Sequence, residues 1–195
     1  MIRYPLVKQE NMYYEQRRAV QVVAQRRKPS VSSEGGVEGP FVPLVHVPGI
    51  LDRLQYLGEY CRFNTSMPAK LREMAIIITA RHVEATLEFH VHAMEAKEFG
   101  LADQIIDAIA NRREPAGMDA DEALVYTFCS KLYAEGSIPD ELFTRFDQRF
   151  GKAVAIDLVV TCGYYATLGM VINVSKAETP DFLKGFVPAF SVTTN

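Results

Sequence analysis

Residues Pro68 to Leu101 read PAKLREMAIIITARHVEATLEFHVHAMEAKEFGL, and this stretch decides the fold. Pro68 suits the first helical position, where its missing N–H goes unused, so a helix is predicted over Pro68–Arg81. Stepping about 100° per residue puts Leu71, Met74, Ala75 and Ile78 on one side and Ile76, Ile77 and Ala80 on the other. Glu73 falls in the middle of that second group, and only Arg72 and Thr79 share a polar direction. A helix apolar all round belongs at the centre of a domain. An acid on it must shed most of its hydration, which disfavours the charged form unless a partner compensates.

A second helix is predicted over Glu84–Phe99, closed by Gly100. Its projection groups Ala85, Glu88, Phe89, His92, Ala96 and Phe99 on one face, with Glu88 and His92 as i,i+4 neighbours. His90 points elsewhere, with Thr86, Ala93 and Lys97. A tight connection at His82–Val83 implies an antiparallel hairpin in which Glu73 and His92 lie equally far from the turn and face each other. A buried carboxylate opposite an imidazole fixes the ring tautomer and raises its basicity, which is a general acid–base arrangement. A structural ion pair between two core helices accounts for the same residues. A metal site of Glu73, Glu88 and His92 is a third reading, with few His for a zinc set.

The surrounding chain fits an all-α domain. It has 195 residues, 48% hydrophobic and 23% charged, which is a globular composition with a generous apolar share. Lys+Arg total 21 against Asp+Glu 24, a net charge of −3, so nucleic acid and acidic membrane are not the expected partners. Cys61, Cys129 and Cys162 form no CxxC pair, and MIRYPLVKQE carries no signal-peptide apolar run; a reducing, cytoplasmic setting is expected. The charge-free run Leu158–Ile172 is shorter than the roughly 20 residues that span a bilayer, so a helix buried on all sides, in the core or between subunits, is expected.

Further helices are predicted at Asn11–Lys28, Gly49–Phe63 (with Ile50, Leu54, Leu57 and Cys61 at helical spacing), Asp103–Asn111, Asp119–Glu135, Pro139–Phe150 and Lys152–Ala177. Asp119 with Glu122 makes a capping box. PSVSSEGGVEGP, Pro29–Pro40, reads as a flexible loop, and FVPLVHVP as an extended apolar strap. These divide the chain into an N-terminal helix and loop (1–38), a helical domain (39–182) and a tail (183–195).

The central stretch resembles the carboxymuconolactone decarboxylase family, whose pattern runs L-R-E-x-A-I, E-W-x-x-H, A-x-x-x-G-L. Here these are Leu71-Arg72-Glu73, Glu88-Phe89-x-x-His92, and Ala96 with Gly100-Leu101. GPF at Gly39–Phe41, LVHVP at Leu44–Pro48, LGEYCRF at Leu57–Phe63, DEALVYTFCSKL and the Gly163–Tyr165 GYY extend the resemblance over roughly residues 39 to 182. It implies an alkyl hydroperoxidase D-like helical fold, a homo-oligomer (trimer or hexamer), and a site at the signature Glu and His that needs no cofactor or metal. The peroxidase branch carries C-x-x-C-x-x-x-H on this helix; those thiol positions are Ala85 and Glu88 here, so disulfide-cycling peroxide reduction lacks its nucleophile. Phe89 stands where the family has Trp, which alters the pocket.

The reaction implied is decarboxylation of, or related acid–base chemistry on, a small lactone or carboxylic acid. His92 would donate the proton, Glu73 would orient it and Glu88 would assist. Arg81, Phe89 and Tyr165 are the candidate substrate-binding residues. A catalytically silent binding or assembly module with the same fold is the alternative.

Overall fold

The computed structural model describes residues 3–26, 37 and 39–176, and among them are nine α-helices and no strand. The all-α expectation holds. In chain order the helices are α1 (Tyr14–Arg26), α2 (Phe41–Leu44), α3 (Pro48–Glu59), α4 (Ala69–His82), α5 (Thr86–Glu98), α6 (Asp103–Ala110), α7 (Ala120–Glu135), α8 (Asp140–Phe150) and α9 (Lys152–Ser175).

Helix α4 is central because it has no polar side to give to solvent. Leu71 and every residue from Glu73 to Arg81 are buried on it. Two apolar clusters meet across it. The larger joins α4 through α9 around Met74, Ile77, Phe89, Ile105, Phe128, Phe146 and Leu158. The smaller joins α1, α2 and α3 to Ile76 of α4 and to Tyr164, Tyr165 and Leu168 of α9. Helix α9 therefore serves one core with its first half and the other with its second, which explains its long apolar run. Helix α1, set apart by the sequence as an N-terminal segment, buries Ala19, Val20 and Val23 in the second core.

Several boundaries differ from expectation for local reasons. The supposed strap forms α2, with Pro43 in a first turn where an amide hydrogen is not needed. The single helix expected over Gly49–Phe63 ends at Glu59 and continues as a π-turn, Tyr60–Asn64. Its stripe is partly rotated: Cys61 is buried and Leu54 packs on the second core, but Ile50 and Leu57 are 48% and 38% exposed and Leu51, Gln55 and Gly58 are buried instead. Helix α4 begins one residue after Pro68, whose ψ of 136° is extended. Helix α5 begins at Thr86, because Glu84 takes a left-handed φ of 58° and Ala85 caps the helix. Gly100, at φ 89°, ends α5 as expected, and Asp119 and Glu122 form the reciprocal capping box of α7.

Helix α9 is 24 residues long, enough by length and composition to cross a membrane, and 56% of its most apolar stretch is buried within the chain. Within the single chain Ile156, Val159, Met170 and Val174 are exposed, so the core alone does not cover the whole helix. Most of the Pro29–Pro40 loop, the expected end of α1 at Lys28, the last residue of the Lys152–Ala177 helix and the 183–195 tail lie outside the described residues.

Candidate functional site

The chain reverses through Val83–Ala85, and α4 and α5 meet again where Glu73 and His92 face each other. His92 Nδ1 donates to Glu73 Oε2 at 2.6 Å, with the Glu73 side chain fully buried and His92 3% exposed. The other carboxylate oxygen of Glu73 accepts from Arg72 Nε and Nη2 at 3.2 and 3.1 Å. One turn back on α5, Glu88 Oε1 lies 3.7 Å from His92 Nε2. The Tyr165 ring of α9 stands edge-on to the imidazole, with centroids 4.7 Å apart.

Sequence reading missed two members of this group. Glu95, three residues past His92, places Oε2 3.9 Å from Nδ1 and is itself paired with Arg62 from the π-turn. The i+3 spacing of Glu95 was a legible signal. Arg62 had none, because only the π-turn after α3 brings it there. Three carboxyl side chains (Glu73, Glu88, Glu95) thus meet three basic ones (Arg62, Arg72, His92).

This balance sets the protonation of the site. Burial alone would drive His92 toward its neutral form; the Glu73 charge and hydrogen bond, joined by Glu88, override it and raise the pKa from 6.5 to about 9. Burial would likewise raise Glu73, but His92, Arg72 and Arg62 hold its carboxyl below 4.5. The imidazole is therefore an imidazolium at neutral pH. Burial, reinforced by Glu73, pushes the Tyr165 phenol well above the usual tyrosine value, so it stays protonated.

Among the buried polar groups around the second core, two bear on the site for lack of a hydrogen-bond partner. One is the Tyr165 hydroxyl; the other is Gln55, fully buried, with both amide atoms unsatisfied. Gln55 lies one turn beyond Leu51 on α3, in the core that also holds Tyr165.

The remaining candidates lie elsewhere. Phe89 is fully buried in the larger core, among the side chains that fix α5 on α4. Arg81, two turns beyond Glu73, donates from Nε to Ala110 O at 2.7 Å and pairs with Glu84 at 2.6 Å. Neither is brought to His92. His90 donates from Nδ1 to Thr86 O at 2.7 Å, away from the pair, as its helical position required.

Among the described residues, those that offer a cation three donor atoms within 4.8 Å of one another are Glu73, His92 and Glu95, so Glu95 replaces the expected Glu88. Two of these carboxylates already hold guanidiniums, from Arg72 and Arg62, which a metal would have to displace. The three cysteines are buried. Cys129 and Cys162 stand 3.9 Å apart at sulfur, on α7 and α9, away from the expected thiol positions on α5. No family model matches the sequence, and no curated protein matches it.

Proposed function

We propose that this chain is a carboxymuconolactone decarboxylase-like enzyme with an alkyl hydroperoxidase D-like fold, acting on a small lactone or carboxylic acid by acid–base chemistry without a cofactor. The observation that carries the reading is the 2.6 Å Glu73–His92 hydrogen bond, which leaves a buried imidazolium with its second N–H directed away from Glu73. Such a group is a proton donor poised for a carbanion.

In the proposed reaction the substrate carboxylate leaves as CO₂. The electron pair of the broken C–C bond passes into the conjugated lactone carbonyl as an enolate. His92 Nε2–H then delivers its proton to carbon, and the neutral imidazole regains one from water. Glu73 holds the ring by Nδ1 throughout and stabilises its charged form. Glu88, beside Nε2, assists the return of the proton. The unpartnered Tyr165 hydroxyl supplies a donor for the developing enolate oxygen next to the imidazolium. With His92 2% exposed, substrate reaches Nε2 only after side chains over it move aside.

The same reading makes the protein a homo-oligomer, supported by the apolar side chains of α3 and α9 left facing outward. The direct test is incubation with carboxymuconolactone, followed by ultraviolet absorbance. Turnover by the wild type, reduced at least about a hundredfold in His92→Gln, is the expected result. Equal turnover by His92→Gln would remove His92 from the chemistry.

A further inference from the structure

A cavity opens on α4 around Arg81, about 12 Å beyond Glu73 along the helix axis at 1.5 Å per residue. It encloses about 290 Å³ between α4, the end of α6 and α7, at the small end of ligand-sized pockets. One wall is apolar, from Ile78, Ile109 and Tyr126. Another is aromatic: the His82 ring stacks on Tyr133 with centroids 4.2 Å apart and planes 19° from parallel. The Tyr133 hydroxyl is fixed by donating to Thr79 Oγ1 at 2.7 Å. Arg81, Arg112 and Arg113 complete the lining.

The charges around this cavity are arranged for an anion. Glu84 lies between two guanidiniums, 2.6 Å from Arg81 Nη1 and hydrogen-bonded to Arg112, while Asp107 pairs with Arg113. Three arginines face two carboxylates, and burial together with Arg112 keeps His82 from adding a further charge. Both Glu84 and Arg112 hold left-handed backbone, at φ 58° and 53°, which disfavours residues with a side chain. That strained pair holds a carboxylate against two of the arginines that line the cavity.

We propose that this cavity binds a small carboxylic acid with a flat, unsaturated body. The ligand carboxylate takes the place of Glu84 on Arg112, with Arg113 beside it. The body lies against the His82–Tyr133 pair and the Ile78–Ile109 wall. Nothing in this site depends on the chemistry proposed for His92.

Benzoate is the probe, titrated calorimetrically into the full-length protein, with benzamide and cyclohexanecarboxylate as the uncharged and non-planar comparisons. Benzoate is expected to bind one per chain, and benzamide and cyclohexanecarboxylate more weakly, benzamide by about tenfold or more. Arg112→Gln, at a half-exposed position and checked by its thermal melt, is expected to weaken benzoate by about tenfold. Glu84→Gln removes the internal competitor and is expected to tighten it. The proposal is overturned if benzamide binds as well as benzoate, or if neither wild type nor Glu84→Gln binds benzoate. Binding that survives Arg112→Gln but is lost in His92→Gln would overturn it equally, by placing the ligand at the other site.

Discussion

The Glu73–His92 pair is worth most where both partners are charged. His92 carries a folded-state pKa of about 9, above its ordinary 6.5, so its contribution is full below 6.5 and fades as pH rises through 9. Glu73 is held below its ordinary 4.5, so its contribution is present above 4.5 and is lost as pH falls through the depressed value. The two conditions overlap between pH 4.5 and 6.5. Glu73→Gln should therefore lose most stability in that window, about 3 kcal/mol by the cost of breaking a buried pair, and the gap should narrow in alkali. Urea titrations at several pH values measure it. A gap that stays level from about pH 5 to about pH 10 would show that the two groups do not share a proton-linked interaction. The pairing itself was legible in sequence, because Glu73 on an apolar helix and His92 across a short turn left few places for either to go. The guanidiniums that balance the group were not, since Arg62 arrives from a distant turn.

At the scale of elements, the α4–α5 connection is held in place by α9 at one glycine. A Cβ on Gly169 would come within 2.7 Å of Val83 Cγ2 and 2.8 Å of Ala85 Cβ, so only glycine lets α9 pass over the turn. Gly169→Ala should cost about 1–3 kcal/mol by overpacking and disturb the register that sets His92 opposite Glu73. At Gly163, earlier on the same helix, a methyl group would have nothing within 4 Å, so Gly163→Ala should be neutral or stabilising by up to about 1 kcal/mol through helix propensity. Thermal melts of the two variants separate these effects; equal melting temperatures would remove the close approach as a constraint. Helix identity was readable from periodicity across this region. The π-turn and the rotation of α3 were not, because Ile50 and Leu57 of its apolar stripe face away from the core, and Gln55 is buried instead.

At the scale of the molecule, that rotation leaves apolar surface facing outward. Ile50, Val47, Met170 and Val174 are about half exposed and line one groove of about 390 Å³, and Ile156 at the start of α9 and Phe63 in the π-turn are exposed as well. A patch of this kind suits subunit contact. Light scattering on the purified protein should give a trimer or hexamer, and Ile50→Lys with Met170→Lys should shift it to monomer, because two ammonium groups cannot be buried there without partners. A monomeric wild type would contradict the oligomeric reading. The surplus of apolar residues was visible in the composition. Its location required the packing of α3 and α9.

Glu73 keeps His92 charged at neutral pH, and the measurement that bears on this is an NMR titration of the imidazole. The chain has 4 His, so the resonance is assigned by its loss in His92→Gln. In the wild type His92 should titrate near about 9, and in Glu73→Gln it should fall below the ordinary 6.5, as burial takes over from the lost carboxylate. A wild-type His92 that titrates at or below 6.5, or one that Glu73→Gln leaves unmoved, would contradict the proposed proton donor.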